Sequence, residues 1–135
     1  MKILVSVFNN LYTDQRVEKF CKTLHENAYQ IEVIGNNWGG NPEMKRPYPF
    51  SRISLQSKKL RFAYLEFQRK LFLVLLKKAD RNTILHANDL DALLPNYLVS
   101  KIKGIPLVWD SHEIFTEMPT VTNRWVQHVW RLLEN

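Results

Sequence analysis

The feature that most constrains this chain is an alternation. Short apolar runs rich in Val and Ile recur along it, separated by longer segments whose apolar residues return every three to four positions. Strand pattern followed by helix pattern, repeated, commits a chain to right-handed βαβ crossovers and a parallel sheet with helices on both faces. Ile3 to Phe8 reads as a buried strand. Asn9-Asn10 ends it, and Thr13 or Asp14 can cap a helix. Val17, Phe20, Cys21, Leu24 and Ala28 then share one helical face, with Glu18 and Lys22 placed for an i,i+4 pair outside it. Ile31 to Gly35 is a second strand, residues 36–50 an irregular stretch with Pro42, Pro47 and Pro49, and Arg52 to Gln56 a weaker third strand. Leu60 to Ala79 reads as a long helix and Thr83 to His86 as a fourth strand. Asp91 to Lys103 is a helix stopped by Gly104, Leu107 to Trp109 a fifth strand, and, past Pro119, Trp125 to Leu133 a last helix. The expected class is α/β, a Rossmann-like doubly wound parallel sheet.

Length and composition bound the rest. At 135 residues the chain is one domain's worth, and its 45% apolar and 24% charged residues exclude a disordered chain or a disulfide scaffold. The single cysteine, Cys21, cannot close an internal disulfide and suits a reducing compartment. The longest apolar run, Leu71 to Leu76, is far too short to span a bilayer, and Ile3 to Phe8 too short for a signal-peptide core, so the expected location is cytoplasmic. The four histidines are dispersed and no metal-ligand spacing is present, so no metal or other cofactor is expected.

In an open parallel sheet, ligands bind beyond the carboxyl ends of the strands. The polar residues of this chain collect there: Asn9 and Asn10 after the first strand, Asn36 and Asn37 after the second, His86, Asn88 and Asp89 after the fourth, Asp110, Ser111, His112 and Glu113 after the fifth. Amides and carboxylates can bracket ligand hydroxyls, and an imidazole can donate to a hydroxyl or stabilise charge. Each has a plainer alternative. Asp89 and Asp14 can cap helices, Asp14 and Arg16 can pair with each other, Asn9 and Asn10 can form a turn, His86 can be a satisfied core residue, and Glu113 can simply hold His112.

These strand ends also carry a family resemblance. Asn9-Asn10-Leu11-Tyr12-Thr13-Asp14-Gln15-Arg16-Val17, then His86-Ala87-Asn88-Asp89-Leu90-Asp91-Ala92-Leu93-Leu94-Pro95, then Leu107-Val108-Trp109-Asp110-Ser111-His112-Glu113, resemble in order the N-terminal domain of glycosyltransferase family 4. The resemblance covers most of the chain from Met1 to Glu117. It implies half of a GT-B enzyme, in which two Rossmann-like domains face each other across a cleft and no metal is needed. His112 would be catalytic, orienting the reacting sugar. Asn9, Asn10, Asp14, Arg16, His86, Asn88, Asp89 and Glu113 would bind the acceptor, a glycan or lipid-linked saccharide of envelope or exopolysaccharide synthesis. The donor's leaving phosphate would help deprotonate the acceptor hydroxyl in a retaining transfer. Two departures stand out. The family's nucleotide-sugar domain, with its Glu-x7-Glu motif, is missing, and the chain stops inside a helical pattern at Leu132-Leu133-Glu134-Asn135, so residues 1–135 read as one domain of a longer protein, inactive alone. The Gly-rich turn that many relatives place near the donor phosphates is replaced by Asn9-Asn10. Glu18 and Glu26 match the Glu-x7-Glu spacing only by chance, on the first helix.

The net charge of +6 belongs to one segment. Lys58 to Arg81 holds eight basic and two acidic residues, and the remaining 11 basic and 11 acidic residues balance. Leu60, Ala63, Tyr64, Phe67, Leu71, Val74 and Leu75 would face the sheet, and Phe62, Leu65, Phe72, Leu73 and Leu76 form a second apolar stripe with Arg69 inside it. An apolar stripe flanked by Lys77 and Lys78 suits shallow contact with anionic lipid, with Phe62, Arg69, Phe72, Lys77 and Lys78 as contact residues; a helix sandwiched between sheet and neighbour, its lysines snorkelling outward, is the alternative. Nucleic acid is not an expected partner, since the aromatics interleave with aliphatics as in a core helix, not as a stacking platform. A stand-alone ligand- or partner-binding module and a sugar-nucleotide epimerase of similar two-domain form are the other readings.

Overall fold

The computed structural model describes residues 1–38, 40 and 42–111. The expected helix Trp125 to Leu133, with His112 and Glu113, lies outside the described residues. The strands are β1 (Lys2–Asn10), β2 (Gln30–Asn36), β3 (Phe50–Ile53), β4 (Thr83–Asn88) and β5 (Leu107–Asp110), and the helices α1 (Gln15–Glu26), α2 (Leu60–Lys78) and α3 (Leu93–Lys103). The sheet order is β3-β2-β1-β4-β5 with every adjacent pair parallel, so the chain has the α/β Rossmann-like fold.

Strand periodicity divides the core in two. Ile3, Val5 and Val7 of β1 meet Val17 and Cys21 of α1 on one face. Leu4 faces the opposite way, into a cluster with Phe67, Leu71 and Leu75 of α2 and Val99 of α3. Asp14 caps α1, its Oδ1 accepting from the Val17 amide at 3.0 Å. Gly104 closes α3 at φ 64°, a left-handed conformation open to Gly without strain.

Several local expectations are corrected. Lys22 reaches Glu26 at 3.8 Å rather than Glu18, because Arg46 takes Glu18 at 3.2 Å. The third strand begins at Phe50, two residues early, and ends at Ile53, because the Leu55 amide leaves the ladder to donate to Asn37 Oδ1 at 2.9 Å. β4 and β5 run on to Asn88 and Asp110, which pair with each other. The helix expected from Asp91 opens instead as a 3₁₀ turn, Leu90–Ala92, before α3. The second stripe of α2 splits: Phe62, Leu65 and Leu73 are exposed, whereas Phe72 and Leu76 are half-buried against the sheet-side core. Leu60, expected to face the sheet, is 65% exposed in the first turn.

Candidate functional site

The sheet reverses its winding between β1 and β4. The connection after β1 leads to β2 on one side and that after β4 leads to β5 on the other, so a crevice opens between the two turns. The first turn carries Asn9 to Arg16, the second Asp89 to Ala92.

The β1–α1 turn is held by its own amides. Asn10 Nδ2 donates to the carbonyls of Trp38 and Gly40, both at 2.9 Å, and its Oδ1 accepts from the Tyr12 amide at 3.0 Å. Both ends of that side chain are thus engaged in ordering the loop. Asn9 donates to Asp14 Oδ2 at 2.8 Å, so the helix cap is itself anchored. At the close approach of β2 to this turn stands Gly35, where a Cβ would lie 2.5 Å from the Leu11 side chain and 2.9 Å from the Asn9 carbonyl.

Arg16 does not pair with Asp14. Its Nη2 donates to Asp89 Oδ2 at 2.8 Å, joining the two turns across 73 residues. Asp89 makes no side-chain cap for the turn that follows it. Its backbone sits at φ 61°, ψ 172°, a region nearly confined to glycine, and its amide donates to the Asp110 carbonyl at 2.9 Å. Such strain is held where the surroundings over-determine it, and here both the ion pair and the β5 contact do so. Asn9, Thr13, Asp14, Gln15, Arg16 and Asp89 line an open groove of about 430 Å³. Arg16 has further N–H donors beyond the one Asp89 takes.

Behind the turns, His86 and Asn88 are buried. His86 stacks on Phe20 with ring centroids 4.7 Å apart, and its Nδ1 lies 3.4 Å from Asn88 Nδ2. Burial holds its imidazole below the usual histidine value against the opposing charge of Asp110, which keeps it neutral near pH 7. Asn88 Nδ2 also reaches the Ser6 carbonyl at 3.3 Å. Neither residue is among those that line the grooves at the turns.

The structure thus brings Asn9, Asp14, Arg16 and Asp89 into one groove and Asn10 into the adjoining cleft, leaves His86 and Asn88 buried behind them, and His112 and Glu113 lie outside the described residues. Sequence reading passed over Asp91. It lines a second cleft of about 350 Å³ with Phe8, Asn9, Asn10, Thr13, Asn36, Trp38 and Leu60. Burial, reinforced by the charge of Asp89, pushes its carboxyl up to about 6. The one available signal was its spacing two residues beyond Asp89, which reads equally as the first turn of a helix. No group of His, Cys, Asp and Glu among the described residues could hold a metal ion.

A parallel sheet with a polar crevice at its winding reversal defines a Rossmann-like domain. Among solved structures, the chain is similar to the UDP-GlcNAc 2-epimerase from Methanocaldococcus jannaschii, with a TM-score of 0.52 and 13% identity over 98% of this chain and 36% of that one. At this identity the likeness is one of fold alone. The chain spans about a third of that protein's length. No family model matches the sequence, and no curated protein matches it.

Proposed function

We propose that this chain is the acceptor-side domain of a retaining glycosyltransferase, transferring a sugar from a nucleotide-sugar to a glycan or lipid-linked acceptor in envelope or exopolysaccharide synthesis. The observation that carries the reading is the Arg16–Asp89 bridge at the winding reversal. It sets a cation and a carboxylate side by side in an open groove, the pairing that grips vicinal hydroxyls through one donor and one acceptor. In this reading a nucleotide-sugar domain outside residues 1–135 completes the cleft, His112 orients the transferred sugar, and no metal takes part.

Ligand-detected NMR on the 135-residue chain tests it, with methyl glycosides and UDP as probes. An acceptor-side domain binds a glycoside, and Arg16→Ala or Asp89→Ala weakens that binding about tenfold, the loss of one charged hydrogen bond. Binding of UDP at the Arg16 groove, with no glycoside bound, would make the domain a nucleotide holder and retire the proposal. The fold neighbour favours a second reading, half of a nucleotide-sugar epimerase, which predicts that a UDP-sugar binds this edge better than a methyl glycoside does.

The membrane surface belongs to the same reading in revised form. Phe62, Leu65 and Leu73 are exposed along α2 with Arg69 and Lys77 beside them, whereas Lys78 pairs with Glu32 at 2.6 Å and Phe72 packs inward. Among the described residues no helix is long and apolar enough to cross a membrane. Shallow docking of α2 predicts sedimentation with anionic vesicles that neutral vesicles and high salt abolish. Equal binding to both lipids would remove this surface from the proposal.

A further inference from the structure

The cleft on the β2 side of the β1–α1 turn is distinct from the Arg16 groove, though the two meet at Asn9 and Thr13. Its volume of about 350 Å³ falls within the range of small-molecule sites, roughly 300–1,000 Å³. Its apolar lining is Phe8, Trp38 and the exposed first-turn residue Leu60. Phe8 is itself fixed edge-on by Tyr64 and Phe67, with ring centroids 5.4 and 4.9 Å away. The rest of the lining is polar, and Asp91 is the charged residue among those that line the cleft.

Asp91 is built into place. Its backbone carbonyl accepts from Gln68 of α2 at 2.5 Å, and the strained Asp89 two residues earlier sets the direction of the turn. Its carboxylate has no hydrogen-bond or ion-pair partner among the described residues, although Asp89 stands near enough to repel it. A half-buried carboxylate without a partner costs stability and returns none within the described residues. Among the described residues its acceptor capacity is therefore open to a ligand. A cleft lined both by apolar side chains and by an open carboxylate matches a pyranose ring, with its C–H groups and its hydroxyl donors.

We propose that this cleft is a saccharide subsite in which Asp91 is the anchoring carboxylate, accepting hydrogen bonds from the hydroxyls of a pyranose ring that packs against Phe8, Trp38 and Leu60. The inference rests on the glycosyltransferase reading for its ligand class and adds to it a subsite and a specificity residue. Two neighbouring rings of an acceptor would then occupy the two clefts that meet at Asn9.

The charged and titratable groups that face Asp91 are Asp89 on its own turn, Tyr64 on α2 and, through Asp89, Arg16 on α1. Tyr64 is held well above the usual phenol value by burial and by the Asp91 charge, so it does not titrate between pH 5 and 7.5. The test is a ¹⁵N-detected NMR titration of the 135-residue chain with methyl β-D-glucopyranoside and a methyl disaccharide, at pH 7.5 and 5.0. The expected result is perturbation of the Trp38 indole, Asn9 and Asp91 signals. Affinity should fall severalfold at pH 5.0, where about a tenth of a carboxyl titrating near 6 is ionised. Asp91→Asn should weaken binding at least tenfold at pH 7.5 and abolish the pH dependence, and Trp38→Ala should weaken it with the pH dependence kept. If glycosides bind but perturb only the Arg16 groove, and Asp91→Asn binds like the parent, the subsite is overturned while the glycosyltransferase reading stands. If no glycoside binds at either pH, both fall.

Discussion

Asp91 sets ligand binding against stability within one side chain. Its carboxyl is raised from an ordinary 3.8 to about 6, by burial first and the charge of Asp89 second. A raised acid favours the folded state when protonated. That contribution is complete below about pH 4 and is lost as pH rises through about 6. Asp91→Asn carries no such titration. The variant should match the parent at pH 4 and exceed it at pH 7.5 by at most about 3 kcal/mol, two pKa units being roughly that much. Urea melts at the two pH values read this directly, and a variant less stable than the parent at pH 7.5 would mean that the carboxylate has a stabilising partner. The substitution that strengthens the fold is thus the one expected to weaken saccharide binding, which separates a binding role from a structural one. Neither Asp91 nor the Arg16–Asp89 bridge was legible in the sequence. Arg16 has Asp14 two residues away as an obvious partner, and only the fold brings Asp89 closer. Asp89 reads as a helix cap, and nothing local reveals that its backbone turns to φ 61° and leaves the carboxylate free for Arg16. Asp14, by contrast, caps α1 as read, because capping is a local interaction three residues long.

At the scale of elements, the position of the β1–α1 turn is a packing problem settled at Gly35. The turn crosses the end of β2 so closely that any side chain there meets Leu11, which is buried, and the Asn9 carbonyl, which cannot move without displacing β1. Gly35→Ala should cost about 1–3 kcal/mol, the usual range for overpacking a filled site. It should also shift Asn9 and Thr13, the residues common to both clefts, so glycoside binding would weaken although Gly35 touches no ligand. Thermal melts and the amide spectrum of residues 9–14 check this; an unchanged spectrum with full stability would show that the turn has room to spare. The five strands were legible because their apolar runs are short and bounded by Asn, Pro or charged residues, and the buried face of α2 because Ala63, Phe67, Leu71 and Leu75 keep helical spacing. The fate of the second stripe was not. Phe72 and Phe62 are equivalent in hydrophobicity, and α3 packing beside α2 on the same face of the sheet distinguishes them. The start of β3 was missed because Phe50 follows Pro49, which reads as loop, yet the Pro49 carbonyl accepts from the Val33 amide at 3.1 Å and begins the ladder.

At the scale of the whole molecule, the crevice exists only if the turns after β1 and β4 keep their spacing, and a buried polar clasp beneath them holds it. Asn96 of α3 donates through Nδ2 to Ser6 Oγ and to the Ala92 carbonyl, each at 2.7 Å, while Asn88 of β4 donates to the Ser6 carbonyl. Ser6 and Asn96 are fully buried and 90 residues apart, so the clasp ties the first strand to the last helix described. Its partners are not interchangeable with apolar residues one at a time. Ser6→Ala leaves the Asn96 amide with a lost acceptor, and Asn96→Leu leaves the Ser6 hydroxyl without its donor. Each should cost about 1–3 kcal/mol, the desolvation penalty of an unpaired buried group. The double variant removes both groups together, so its cost should fall short of the sum by roughly 1 kcal/mol or more. Urea denaturation of the four proteins closes this cycle. Additive losses would show that Ser6 and Asn96 act separately, and the spacing of the crevice would then rest on the β1–β4 ladder alone. A coupled result would make the clasp the element that registers α3, and with it Asp89 and Asp91, against the β1–α1 turn. Binding should follow the same coupling: a Ser6→Ala protein that remains folded should lose glycoside affinity, because the two walls of the crevice are no longer held to one distance.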